Sequence, residues 1–154
     1  MANTYSKIYL QIVFAVKGRQ SLIHSSWEER LYRYLTGVVQ TKGQKMLSIN
    51  GVANHIHLLI GVKPDCCVSD LVREIKKSST QFINENRFAQ SQFAWQVGFG
   101  VFSYHESMLD KVIRYIENQK EHHKKHTFKE EYIAFLKAFN IDYEEKYLFD
   151  WLED

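Results

Sequence analysis

Residues 52–62 read VANHIHLLIGV, and the alternation of side chains in this stretch decides the fold. In a β-strand, side chains two positions apart project to the same face of the sheet. The aliphatic residues at positions 56, 58 and 60 therefore share one face, whereas His55 and His57 share the other. We interpret the segment as a strand whose aliphatic face packs on a hydrophobic core.

The neighbouring sequence predicts the other elements of an α+β domain. Asn50 and Gly51 separate residues 45–49 from this strand, and the pair readily adopts the positive φ of a tight turn, so we expect a β-hairpin. Two further strands are predicted, by the period-2 alternation of residues 8–16 and by the aromatic, glycine-bearing residues 93–104. Periodicity and capping patterns predict four helices: from Ser25 to near Gly43, over residues 69–88, after a Ser107 cap and after a Thr127 cap.

The predicted order of elements is β-α-β-β-α-β-α-α. Its first six elements match the ferredoxin-like split βαβ arrangement, in which a four-stranded antiparallel sheet carries two helices on one face. We therefore predict an α+β fold with a ferredoxin-like antiparallel sheet, His-x-His on a central strand and additional C-terminal helices. The other face of the sheet is left open for a cover or a ligand.

Length and composition restrict the class of protein. The chain has 154 residues, 45% of them hydrophobic, so we expect one domain over residues 1–154 and neither disorder nor low complexity. The two cysteines are adjacent, at positions 66 and 67, and therefore form neither a disulfide framework nor a C-x-x-C metal site. No apolar run approaches the roughly 18 residues of a membrane span, and a signal-peptide pattern is absent. These features predict a cytoplasmic protein.

The small net charge conceals an uneven distribution of charges. Residues 130–154 form an acidic C-terminal tail with eight acids and two bases, a charge of −6. The remaining 18 bases and 10 acids give residues 1–129 a charge of +8. This asymmetry indicates an anionic partner for the body of the protein, although a solvated surface with chance clustering explains the charges equally well.

The histidine pair on the strand is the first candidate site. Neutral imidazoles are common ligands of divalent metal ions, and His55 and His57 are expected side by side on one face. The alternative is a pair of partly buried histidines that only pack on the sheet. Burying two imidazoles without partners costs free energy, which favours the metal site.

Tyr115 and Gln119 are the second candidate pair. They are four residues apart within the third predicted helix and therefore stack on one helical face. A phenol oxygen can act as a nucleophile, and an amide oxygen is a hard metal ligand. The alternative is a core or rim tyrosine beside a solvated glutamine, and the spacing by itself does not decide between the two.

The remaining histidines occupy less informative positions. Residues 121–126 read EHHKKH and place His122 and His126 one helical turn apart, but the H-E-x-x-H order is absent. We interpret this segment as a solvated basic stretch that contacts phosphates, and His24 and His105 as surface or loop residues. The sequence also lacks the G-x-x-x-x-G-K and G-x-G-x-x-G patterns, which disfavours the common nucleotide hydrolases.

In their order along the chain, these motifs resemble a known family, the small single-tyrosine HUH transposases of bacterial insertion sequences that move as single-stranded DNA. The resemblance depends on a His-hydrophobic-His strand that is followed about 60 residues later by Tyr-x-x-x-Gln on a helix. It spans nearly the whole chain. The matching segments are residues 17–19, 51–60, 95–100, 115–119 and 121–123 and the acidic, aromatic residues 143–151.

The resemblance implies a metal-dependent tyrosine transposase that cleaves and rejoins single-stranded DNA at element ends and recognises DNA hairpins. His55, His57 and Gln119 would hold Mg²⁺ or Mn²⁺, and Tyr115 would attack the scissile phosphate. The expected products are a 5′-phosphotyrosine link and a free 3′-hydroxyl, and the link conserves the bond energy for rejoining without ATP. The resemblance also implies a homodimer with shared active sites, in which Tyr115 acts in cis or in trans.

Five basic residues are candidate contacts to the DNA backbone, with aromatic residues stacking on unpaired bases. For each of the five, solubilisation of the surface is an equally good explanation. The candidates are Lys17, Arg19, Arg73, Lys76 and Lys77.

Two other functions remain open. One is a non-catalytic ferredoxin-like module that binds structured single-stranded nucleic acid. The other is a metal-dependent hydrolase that uses His55, His57 and an unidentified carboxylate, with water as the nucleophile. The formation of a covalent protein–DNA adduct distinguishes the transposase from both.

Overall fold

A computed structural model describes residues 3–144 and residue 148 of the chain. Two short 3₁₀ turns, Lys17–Arg19 and Glu106–Met108, follow β1 and precede α3. The elements are β1 (Tyr9–Ala15), α1 (Glu28–Thr41), β2 (Lys45–Val52), β3 (His55–Gly61), α2 (Val68–Glu85), β4 (Gly100–Tyr104), α3 (Leu109–Glu117), α4 (Gln119–His122) and α5 (Phe128–Ala138).

The four strands form one antiparallel sheet in the order β2-β3-β1-β4. This is the strand order of the ferredoxin-like arrangement, so the predicted fold class is confirmed. β1 and β3 occupy the centre, where their register places Val13 opposite His57 and Ala15 opposite His55. The His-x-His motif therefore lies on a central strand, as predicted.

One face of the sheet packs against α1 and α2 through the main hydrophobic core. Ile56, Leu58 and Ile60 of β3 are fully buried in this core, as their spacing predicted. They contact aliphatic residues of both helices, of which Leu35 and Ile75 are fully buried. Burial of a side chain of this size contributes about 1.5–3 kcal/mol, so this face supplies much of the stability of the fold.

The other face of the sheet is covered, where the sequence left it open. Phe128, Tyr132 and Leu136 of α5 pack on Val13 and Ala15 of β1. Residues of α3 pack beside them on β3, where Leu59 contacts them. The C-terminal helices thus enclose the face that carries the histidines, because α5 has an apolar stripe that matches the small residues of β1.

The hairpin turn lies three residues later than predicted. Asn50 and Gly51 belong to β2, and the turn is formed by Ala53 and Asn54. The reason is tertiary, because the Asn50 side chain donates hydrogen bonds to the carbonyl oxygens of Ile116 (3.0 Å) and Glu117 at the end of α3. Carbonyls at the end of a helix lack the full set of helical donors, and Asn50 supplies a donor to these two.

The other element boundaries also differ from the prediction. The strand predicted over residues 93–104 is shortened to β4, because Gly98 adopts a φ of 93° and turns the chain out of the sheet. Before β4, Trp95 forms an isolated antiparallel β-bridge with Val16, the residue that follows β1. α2 ends at Glu85, three residues before the predicted end.

The predicted helix caps were correct at α5 and wrong at α1 and α3. Thr127 forms a capping box with Glu130 at the start of α5. Trp27 precedes α1 without a side-chain cap, and no serine caps this helix. Before α3, the ring of His105 accepts a hydrogen bond from the backbone amide of Ser107. His105 is therefore the capping residue here, and Ser107 is not. In the described part of the chain, no helix combines the length and the hydropathy that a membrane span requires.

We expect Gly51→Ala to destabilise the protein by about 1–3 kcal/mol. A Cβ at this position would lie 2.3 Å from the carbonyl oxygen of His55 and 2.8 Å from the Cα of Ile56, and neither backbone atom can give way cheaply. Gly37→Ala in α1 is the matched control, since a Cβ there meets no atom within 4 Å. It should stabilise the helix by roughly 0.5–1 kcal/mol. Denaturant unfolding measures both changes, and equal stability of the two variants would contradict the packing described here.

Candidate active site

His55 and His57 lie side by side on β3 beneath the C-terminal helices. Both side chains are fully buried, and their ring centroids are 5.2 Å apart. The ring of Phe128 stacks on His55 at 4.1 Å between centroids. The strand alternation that predicted a shared face is thus observed, and the two imidazoles occupy a fully buried site between the sheet and α5.

A buried carboxylate from α5 joins the histidines. The Oε1 atom of Glu131 lies 3.0 Å from the Nε2 atoms of both His55 and His57 and 3.1 Å from that of His123. Glu131 is only 4% exposed, so its charge is balanced within the protein. The ligand atoms of these four residues lie within 4.8 Å of one another, which is close enough for one metal ion to contact all four.

The hydrogen bonds of His55 and His123 prepare both rings for a metal ion. The Nδ1 atom of His55 lies 2.7 Å from Oδ1 of Asn54, and that of His123 lies 2.8 Å from the carbonyl oxygen of His126. Because these oxygens accept, a metal-bound ring would carry its proton on Nδ1 and present the Nε2 lone pair to the ion. Both Nε2 atoms lie at hydrogen-bond distance from the Glu131 carboxylate, where a cation would be shared by all three groups.

The Nδ1 atom of His57 contacts the side-chain amide of Gln11, a group that can donate or accept a hydrogen bond. The side-chain nitrogen of Gln11 lies 2.9 Å from Nδ1 of His57, and the hydroxyl of Tyr104 donates to Oε1 of Gln11 at 2.9 Å. In this arrangement His57 carries its proton on Nε2 and donates it to Glu131. Rotation of the Gln11 amide reverses the tautomer without moving a backbone atom, which makes the Nε2 lone pair available to a metal.

Burial and charge set the protonation states in the site. Burial lowers the pKa of His55 to about 4, so its ring is neutral at physiological pH and suited to metal binding. Burial by itself would raise the pKa of Glu131, but interaction with His57 and hydrogen bonds from the surrounding histidines outweigh it and lower that pKa. The site therefore contains a fixed carboxylate anion beside neutral imidazole, which is a suitable donor set for a divalent ion.

Tyr115 and Gln119 meet at the same carboxylate, although they do not share a helix. α3 ends at Glu117, and Gln119 begins the short α4 after a break at Asn118. The hydroxyl of Tyr115 donates to Oε2 of Glu131, and the amide nitrogen of Gln119 donates to the same atom at 3.0 Å. The Oε1 atom of Gln119 lies 3.3 Å from Nε2 of His55. The structure thus brings the four predicted site residues together.

The Tyr115 hydroxyl is held in its protonated form. Burial raises the pKa of Tyr115 above its ordinary value, and the adjacent Glu131 carboxylate raises it further. The phenol therefore needs a proton acceptor before its oxygen can act as a nucleophile, and Glu131 is in hydrogen-bond contact with it.

His123 and Glu131 were missed by the sequence analysis. His123 was assigned to a solvated basic segment and Glu131 to an acidic tail, whereas both side chains reach the histidine pair. One signal was present for Glu131, which lies three residues after Phe128 and four before Phe135. This spacing places a carboxylate within the apolar stripe of α5, where an unpaired charge is costly.

The five predicted DNA contacts are dispersed. Arg73, Lys76 and Lys77 lie on α2, across the sheet from the histidine pair. Lys76 is half-buried and donates to the carbonyl oxygens of Gln96 and Gly98, and burial lowers its pKa to about 8. It therefore has a structural role in the loop before β4.

The other predicted contacts differ in their exposure. Arg73 is exposed and pairs with Asp70 at 2.8 Å, and Lys77 is exposed. Lys17 is exposed in the 3₁₀ turn after β1, whereas Arg19 in the same turn is buried and lines a cleft that reaches the histidine site. The acidic tail predicted over residues 130–154 lies partly outside the described residues.

Both the sequence and the fold are similar to those of known proteins. Residues 4–119 match the family model described as transposase IS200 like. The fold is similar to that of a Deinococcus radiodurans protein assigned as a transposase, with a TM-score of 0.63 and 20% identity over 76% of this chain and 94% of that chain. It is also similar to that of a REP-associated tyrosine transposase bound to a REP hairpin, with a TM-score of 0.61 and 18% identity over 99% of this chain and 90% of that chain. No curated protein matches the chain.

Proposed function

Because this chain belongs to the IS200-like transposase family, we propose that it cleaves and rejoins single-stranded DNA through a covalent bond between Tyr115 and a 5′-phosphate. One observation carries the proposal. The Tyr115 hydroxyl, the Gln119 amide and three imidazoles converge on the Glu131 carboxylate within a single chain. This arrangement joins a nucleophile, a proton acceptor and a set of metal ligands in one buried site.

The reaction exchanges one phosphodiester bond for another. The Tyr115 hydroxyl gives up its proton, for which the Glu131 carboxylate is the adjacent acceptor, and its oxygen forms a bond to the scissile phosphorus. The bond from phosphorus to the 3′-oxygen breaks, and that oxygen takes up a proton. Attack of a different 3′-hydroxyl on the phosphotyrosine reverses these steps and rejoins the strands.

His55, His57, His123 and Glu131 are the residues that would hold the divalent ion, with the Gln119 oxygen beside His55. When bound, the ion supplies positive charge that stabilises the phosphate during transfer. Three imidazoles and one carboxylate suit transition metals, whereas Mg²⁺ prefers oxygen ligands. We therefore expect Mn²⁺ to bind more tightly than Mg²⁺, and both metals were implied by the family resemblance.

The same chain provides the tyrosine and the histidines. The ring centroids of Tyr115 and His57 are 5.9 Å apart, so cleavage in cis requires no partner subunit. The homodimer that the resemblance implies stays a prediction, which the mass in gel filtration tests. A similar structure is bound to a DNA hairpin, and this supports the proposal that hairpin-containing single-stranded DNA is the substrate.

Glu131 also favours a second candidate function. A metal-dependent hydrolase needs a carboxylate beside the two histidines, and Glu131 is such a group. In this case a water molecule would replace Tyr115 as the nucleophile, and the cut strand would be released with a free 5′-phosphate. The two functions share their ligands and differ in the fate of the 5′-end.

One experiment distinguishes the two functions. Hairpin-containing single-stranded DNA labelled at its 3′-end is incubated with the protein and Mn²⁺, and the products are separated under denaturing conditions. A transposase transfers the label to the protein band, and a chelator prevents the transfer. Cut DNA without labelled protein would support the hydrolase, and uncut DNA would reject both functions.

A further inference from the structure

His122 is a histidine beside the candidate active site that has no place in the proposed reaction. It lies in α4 next to His123, and the two rings are almost perpendicular, with centroids 4.9 Å apart. The Nε2 atom of His122 is buried and has no hydrogen-bond partner among the described residues. A buried polar atom of this kind costs free energy unless a ligand occupies the space beside it.

The two oxygens of the Glu131 carboxylate face different histidines. Oε1 contacts the three imidazoles of the site described above, whereas Oε2 lies 3.6 Å from Nε2 of His122. This separation is longer than a hydrogen bond. It matches two ligand atoms of one metal ion, because metal–ligand bonds of about 2.0–2.2 Å at tetrahedral angles place such atoms roughly 3.3–3.6 Å apart.

His126 supplies a second imidazole on this side of the carboxylate. It lies one helical turn after His122, and its backbone N–H donates to the carbonyl oxygen of His122 at 3.2 Å. The two rings stack at an interplanar angle of 27°, with centroids 4.8 Å apart. Two histidines at positions i and i+4 on one helical face can bind the same metal ion. His126 is exposed and His122 is partly buried, so an ion can enter from solvent.

We propose that His122, His126 and Oε2 of Glu131 form a second metal site, which binds Zn²⁺. Two imidazoles and one carboxylate are the ligand set of zinc sites that keep a fourth position open for water. Glu131 would then bridge two ions, with Oε1 on the first and Oε2 on the second. Two ions that share ligands in this way are about 3.5–4 Å apart.

The second site should fill after the first. The Tyr115 hydroxyl and the Gln119 amide both donate to Oε2 of Glu131, so an ion at this oxygen competes with them. The second site also has two imidazoles where the first has three. Mn²⁺ lies at the weak end of the affinity order of divalent metals, whereas Zn²⁺ binds nitrogen ligands more tightly. We therefore expect Mn²⁺ to occupy only the first site and Zn²⁺ to occupy both.

Isothermal titration of the full chain with ZnCl₂ and with MnCl₂, in the absence of DNA, tests the proposal. The wild type should bind two Zn²⁺ ions but one Mn²⁺ ion per chain. His122→Phe keeps an aromatic ring beside Tyr115 and His126 and removes the ring nitrogens, so it should bind one Zn²⁺ ion. Its Kd for Mn²⁺ should stay within about threefold of the wild-type value, because the first site is intact.

His105→Phe is the matched control, since it makes the same change at an exposed histidine whose ring contacts Ser107. It should still bind two Zn²⁺ ions. A single Zn²⁺ ion in the wild type, or two in His122→Phe, would show that the second site does not exist. A large loss of Mn²⁺ affinity in His122→Phe would assign His122 to the first site and also reject the proposal.

His126→Phe decides the matter if His122→Phe does not fold. Its side chain is exposed, so the substitution leaves the core unchanged. It should raise the Kd of the second Zn²⁺ ion by roughly tenfold or more, and an unchanged Kd would contradict the proposal. The adduct assay is independent of this titration. Two Zn²⁺ ions without any adduct would reject the proposed function and support the second site, and an adduct with one Zn²⁺ ion would do the reverse.

Discussion

Tyr115→Phe is expected to form no covalent adduct with hairpin-containing single-stranded DNA. Phenylalanine keeps the ring that contacts His57 and Phe135 but removes the oxygen that bonds to phosphorus. Loss of the nucleophile should reduce strand cleavage by roughly 10³-fold or more, because the Tyr115 hydroxyl is the group in contact with both Glu131 and the metal-ligand cluster. Transfer of the 3′-end label to the protein under denaturing conditions measures the effect.

Tyr34→Phe provides the control for this substitution. Tyr34 lies on α1, stacks on Phe82 at 4.2 Å and belongs to the opposite face of the sheet. It should form the adduct at the wild-type rate. Hairpin binding should be retained by both variants, since neither removes a positive charge. An adduct formed by Tyr115→Phe would show that another residue is the nucleophile.

His57→Ala is expected to abolish metal binding and strand cleavage and to retain hairpin binding. The substitution removes one of the three imidazoles that meet at the Glu131 carboxylate. Glu131→Gln keeps the size of the side chain and removes its charge, and it should raise the Kd for Mn²⁺ by roughly 10–100-fold. Isothermal titration with MnCl₂ and MgCl₂ measures both effects without reference to activity.

His105→Ala is the matched histidine control. His105 lies in an exposed turn before α3, its ring contacts Ser107, and its removal should leave the Kd for Mn²⁺ unchanged. For the wild type we expect Mn²⁺ to bind at least about tenfold more tightly than Mg²⁺. Equal affinities for the two metals, together with an unchanged Kd in Glu131→Gln, would show that His123 and Glu131 are not ligands. The predicted set of His55, His57 and Gln119 would then be preferred.

The strands, and the shared face of the two histidines, could be predicted from the local sequence pattern. The period of a strand is two residues whatever lies above or below it, so the alternation in residues 52–62 correctly assigned the two histidines to one face. The spacing of Tyr115 and Gln119 was similarly informative. The two side chains meet at one carboxylate even though Asn118 interrupts the helix between them.

The turn at Asn50-Gly51 shows where local pattern failed. The pair has strong turn propensity, yet Asn50 bonds to the end of α3 and Gly51 lies where only a hydrogen atom fits against the backbone of β3. Both constraints come from residues that are distant in sequence or across the sheet. A preference of about 1 kcal/mol is easily overridden by such contacts.

By itself the sequence determined the α+β fold, the strand that carries the histidines and the family, because these depend on periodicity and on ordered motifs. Only the tertiary structure decided that His123 and Glu131 join the site. The position of Glu131 depends on how α5 packs on β1, through Phe128 and Tyr132 against Val13 and Ala15. That packing is the sum of many apolar contacts between segments more than a hundred residues apart, which no local pattern encodes.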